Sequence, residues 1–88
     1  MKERVAIISA VSELLNYRKN YPKALKQELI RSVSKVISRE RKQDVKVGMV
    51  AATSRAADLI EENKGISDRE VLKIIMQEMP KFISVMEE

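Results

Sequence analysis

The fold class predicted for this chain is all-α: a compact bundle of four helices, arranged as two helical hairpins, with the last helix kinked at Pro80. Three observations predict it. Apolar residues recur at three- and four-residue steps through four separate segments, which is the pattern of helices that bury one face. Two Gly and two Pro in 88 residues leave little material for a series of hairpins. A hydrophobic fraction of 44% beside 34% charged residues is that of a globular chain with a real core, small at this length and organised as a single helical domain over residues 1–88.

The first helix runs from Glu3 to about Arg18, where Val5, Ile8, Val11 and Leu15, with Ile7 and Leu14, form one wide apolar stripe. A polar and aromatic stretch, Asn16 to Tyr21, breaks it. Pro22 then suits the first turn of a second helix, which extends to about Arg41. Its stripe is Leu25, Leu29, Val33 and Val36, widened by Ile30 and Ile37. The run Arg39 to Asp44 has no apolar residue, and Asp44 is a reasonable N-cap for the third helix, ending near Asn63.

Small side chains crowd that third helix, and Gly48, Ala52 and Ala56 stack at steps of four. Such a stripe lets other helices approach closely, so this helix is expected at the centre. Lys64-Gly65 offers a glycine stop, and Ser67-Asp68-Arg69-Glu70 has the spacing of a capping box. In the fourth helix Leu72, Ile75, Met79, Phe82 and Met86 alternate steps of three and four, a seam that continues through Pro80. Proline there removes a backbone bond and is expected to kink or split the helix after Met79.

The absence of His and Cys removes the usual nucleophile, proton-shuttle and zinc chemistries together, and with them any disulfide. Asp58, Glu61, Glu62 and Asp68 are spaced so that two or three carboxylates could hold Mg²⁺, although acidic residues at helical spacing are more often a hydrated face. No enzyme, cofactor, metal or small-molecule substrate is expected. Met49, Met76, Met79 and Met86 fit core filler better than an adaptable groove. Residues Ile60 to Ile74 partly match a helix-turn-helix, but Glu61 and Lys64 stand where small and apolar residues belong, and a plain capped hairpin fits better. No run approaches the length of a membrane span, no cleavage site follows the first apolar stretch, and a cytoplasmic protein is expected.

Charge is distributed unevenly. Residues 18 to 46 hold ten Lys or Arg against three acids, about +7, whereas residues 58 to 88 carry about −4. On the second helix Arg31, Lys35, Arg39 and Lys42 fall within a narrow arc opposite the apolar stripe, and Lys46 follows. The arc has three readings: an ordinary solvated face, a track for the phosphates of RNA or DNA, or a dock for an acidic protein surface. With 3% aromatic residues, stacking anchors for bases are scarce.

Two stretches carry a resemblance. The Tyr21-Pro22 start of a helix rich in Lys and Arg, and Val50-Ala51-Ala52-Thr53 followed by Ala57-Asp58-Leu59-Ile60-Glu61-Glu62, resemble the short archaeal all-helical proteins grouped as uncharacterised protein family 0147. The resemblance covers most of residues 10 to 85. It implies a helical-hairpin fold and an archaeal cytoplasm, and it carries no activity or site residues.

The expectation that follows is a non-enzymatic interaction module that self-associates as a homodimer through Leu72, Ile75, Met79, Phe82 and Met86. The alternative is nonspecific nucleic-acid binding through Arg31, Lys35, Arg39, Lys42 and Lys46.

Overall fold

In the computed structural model, which describes residues 2–87 with side chains from Glu3 to Ser84, helix follows helix and no strand occurs among the described residues. Helix α1 spans Lys2–Asn20. It forms on the expected stripe: Ile7, Ala10, Val11, Leu14 and Leu15 are buried, while Val5, counted with them by spacing, stands exposed near the start. Arg18 and Lys19 lie in the last turn, where positive charge complements the helix dipole.

Pro22 does not open the next helix. It sits in a turn closed by the Ala24 amide donating to the Tyr21 carbonyl at 3.0 Å, and α2 (Lys26–Ser32) starts four residues later. The restart is set by Glu28, whose carboxylate accepts the Leu25 N–H at 2.9 Å. Leucine has no side-chain acceptor, so only the glutamate half of a capping box exists. Leu25 is thereby an extended cap residue, 59% exposed, and leaves the apolar stripe to which its spacing assigned it.

The second expected helix is also divided at Val33, with α3 continuing as Ser34–Ser38. Serines account for the break. The hydroxyls of Ser32 and Ser34, on either side of the β-branched Val33, each donate to the carbonyl three residues back, at 2.6 and 2.8 Å, and compete with the helical ladder there; Ser38 does the same at 2.9 Å where α3 ends.

Helix α4 spans Gln43–Glu62, with Lys42 at its N-cap in place of the expected Asp44. Asp44 lies instead in the first turn, its carboxylate accepting the Val45 amide at 3.0 Å. The small-residue expectation holds: Gly48, Ala52 and Ala56 are buried, and α4 packs against all the other helices. Thr53, the buried polar residue of the core, returns its hydroxyl to the Met49 carbonyl at 2.8 Å.

The helix stops at Asn63 without a left-handed glycine. Gly65 keeps a negative φ, and the Asn63 side chain turns the chain by accepting the Gly65 amide at 3.1 Å. Ser67 then caps α5 (Asp68–Gln77) by accepting the Glu70 amide at 3.1 Å, as its spacing predicts.

The chain divides again at Glu78 before α6 (Met79–Glu87). The interruption falls one residue before the expected point. Pro80 thus occupies the first turn of α6, where its missing N–H costs nothing. The four expected helices are therefore six segments among the described residues, two of the four being split.

Polar contacts define the directions. Helix α1 ends a short turn before α2 begins, and the start of α2 lies against the end of α4, so α1 and α4 run alike. Lys26 at the start of α2 pairs with Asp58 near the end of α4, and Arg18 near the end of α1 pairs with Asp68 at the start of α5. The split segments α2–α3 and α5–α6 hence return antiparallel to α1 and α4. They pack chiefly on that central pair, α2–α3 on α1 and α4 and α5–α6 mainly on α4. The molecule measures 34 × 25 × 16 Å, and its single core runs through Leu14, Leu29, Val33, Ala52, Ile60, Val71, Ile75, Met79 and Phe82.

Candidate nucleic-acid interface

The cations of the basic arc are distributed over three elements. Arg31 is on α2, Lys35 on α3, Arg39 caps the end of α3, Lys42 is the N-cap of α4, and Lys46 lies one turn into α4. The first four are exposed and Lys46 is half-buried. Beyond the break at Val33 the Ile37 amide donates to the Val33 carbonyl and the Arg39 amide to the Lys35 carbonyl, at 3.0 and 3.2 Å, so Lys35 and Arg39 follow one another a helical turn apart, with Arg31 exposed just before the break.

Three other basic side chains are committed internally. Arg18 is held by Asp68, Lys26 by Asp58, and Arg55 by both oxygens of Glu78 at 3.0 to 3.3 Å. A hydrogen bond to Asp58, reinforced by its charge, raises the Lys26 pKa above the ordinary value. Glu78 does the same for Arg55, chiefly through their hydrogen bond and against the cost of desolvation. These pairs bind the basic and acidic parts of the chain together. In contrast, none of the five arc cations forms an ion pair among the described residues. The carboxyl of Glu3 is held below its ordinary range, first by its own backbone amide and most weakly by the charge of Lys42.

At the Arg31 end of the arc the surface is indented. Tyr17, Glu28, Arg31 and Ser32 line a cavity of 190 Å³. A second hollow of 460 Å³, sharing Glu28 as a wall, is lined by Asn20, Tyr21, Pro22, Lys23 and Ala24. The rings of Tyr17 and Tyr21 lie between, 4.7 Å apart and tilted by 34°. Sequence reasoning passed over this pair because aromatic residues are few. The signal was present: two of the three aromatics stand four apart at a helix end, among Arg18, Lys19 and Lys23.

The expected self-association seam lies elsewhere and is largely consumed by the fold. Ile75, Met79 and Phe82 are 0%, 2% and 6% exposed, packed in the chain's own core, and Leu72 is half-buried. The side chain of Met86 lies outside the described residues. The reason is size: an 88-residue domain needs these apolar faces for itself.

The carboxylates considered for Mg²⁺ do not converge. Asp58 and Asp68 are engaged by Lys26 and Arg18, Glu61 and Glu62 point to solvent, and no group of three metal-ligating side chains occurs among the described residues. No described helix is long and apolar enough to cross a membrane. Comparison with protein-family models, curated proteins and solved structures finds no match to this chain.

Proposed function

We propose that this chain is a non-enzymatic helical domain that binds nucleic acid, without sequence preference, through Arg31, Lys35, Arg39, Lys42 and Lys46. The observation that carries the proposal is the run of these cations, unpaired and all but the half-buried Lys46 exposed, in contrast to Arg18, Lys26 and Arg55, each held by a carboxylate. Cations held by a carboxylate have already spent their field within the fold. Free ones on one side of a small domain raise the local potential and attract phosphates, which release their counterions on contact.

The test is light scattering after size exclusion, with the protein alone and with a mixed pool of RNA and duplex DNA, at low and moderate salt. The expected result is a mass shift that added salt abolishes. Arg31→Glu combined with Lys35→Glu is expected to remove binding while helix content by circular dichroism stays unchanged, because both side chains are exposed. Tight binding that survives both substitutions overturns the proposal.

A further inference from the structure

The arc begins at an aromatic pair, and this gives the binding surface a preference of its own. Tyr21 is 58% exposed, its ring packs 4.7 Å from that of Tyr17, and Tyr17 shares a cavity wall with Arg31, the first cation of the arc. Lys19 and Lys23, both exposed, flank the pair. We infer that the Tyr17–Tyr21 pair is a stacking platform for an unpaired nucleobase, so that the domain prefers single-stranded nucleic acid to duplex. The inference rests on the nucleic-acid reading above.

The chemistry of the hollow fits a base better than a phosphate. Glu28 forms a wall of both cavities and its carboxylate repels phosphate from them, while its Oε2, not used by the Leu25 amide, is an acceptor for a ring or amino N–H group. Arg31 at the rim takes the adjoining phosphate, and the aromatic face takes the base, the division of labour found where single strands are bound without sequence readout. A duplex keeps its bases stacked inside and offers this platform nothing. It can engage only the cations.

The chain contains two Tyr and no Trp, and both tyrosines belong to the platform, so intrinsic tyrosine fluorescence reports on this site alone. The experiment titrates the protein at low salt with a mixed-sequence single-stranded oligonucleotide and with a duplex of the same length, following tyrosine emission and the anisotropy of end-labelled strands. Single strand is expected to quench the emission and duplex to leave it nearly unchanged. Tyr21→Ala is expected to weaken single-strand binding by about tenfold, the order of one lost base stack, with duplex binding unaffected, and Tyr21→Phe is expected to restore it.

Equal quenching by both forms, or a Tyr21→Ala variant that binds single strand as tightly as the parent, overturns the platform while leaving the basic arc standing. If neither form binds at low salt, the arc reading fails and the platform with it.

Discussion

The number of free cations on the arc sets a measurable salt dependence. Five phosphate contacts predict that log K falls against log salt with a slope of about −3.5 for single strands and about −4.5 for duplex. Raising salt from about 50 to about 200 mM then weakens binding roughly 130-fold and 500-fold. Lys35→Gln with Arg39→Gln removes two contacts from the middle of the arc, away from the tyrosine pair, and leaves three. The slopes become about −2.1 and −2.7, and the same salt step costs only roughly 20-fold and 40-fold. Both side chains are exposed, so the fold is expected to survive, which circular dichroism checks. The assay is anisotropy of an end-labelled oligonucleotide at five or so salt concentrations for parent and variant. A parent slope near zero, or a double variant whose slope equals the parent's, refutes the assignment of these cations.

Further predictions concern the scaffold. Ile75→Ala empties a fully buried site and is expected to cost about 2–5 kcal/mol, against roughly 4–13 kcal/mol for a domain of this length, with no change of mass in solution; an unchanged urea midpoint refutes its place in the core. Ala56→Leu exchanges two good helix formers, so any loss reports packing around α4, and about 1–3 kcal/mol is expected from thermal melts; a neutral result means the neighbouring helices can yield. The raised pKa of Lys26 means that its contribution to stability is complete below the ordinary lysine value of about 10.4 and is lost as pH rises through the raised one. Urea melts at neutral and strongly alkaline pH should show this alkaline decline reduced in Lys26→Met, and identical declines refute it.

The all-α class, the α1 stripe, the central place of the small-residue helix and the Ser67 cap were legible because each depends on local spacing. The breaks inside the second and fourth helices were not all legible. Leu29, Val33 and Val36 keep helical periodicity straight through the division at Val33, and periodicity does not register serine hydroxyls that turn back on the chain. Pro22 and Leu25 misled for a related reason: the Glu28 carboxylate, three residues further on, decides where that helix starts. On the surface, the basic arc was legible from charge and spacing. Which cations remain free was not, because Arg18 and Lys26 meet partners 50 and 32 positions away. The seam from Leu72 to Phe82 could be core or interface by pattern alone, and only the packing of α6 on α4 assigns it to the core.

The fourth place of α4 in the chain has a consequence for how the protein is made. Helix α1 packs chiefly on α4, and α2 and α3 also lean on it, so the first 42 residues leave the ribosome with their main partner not yet translated. Until then the oily sides of three helices face water or whatever in the cell will cover them. Folding on this account is a late, collective event, triggered when the alanine-lined segment emerges. A fragment ending at Arg41 is expected to show little helical circular dichroism by itself, and a fully helical fragment would show that the amino-terminal half can organise before its centre arrives.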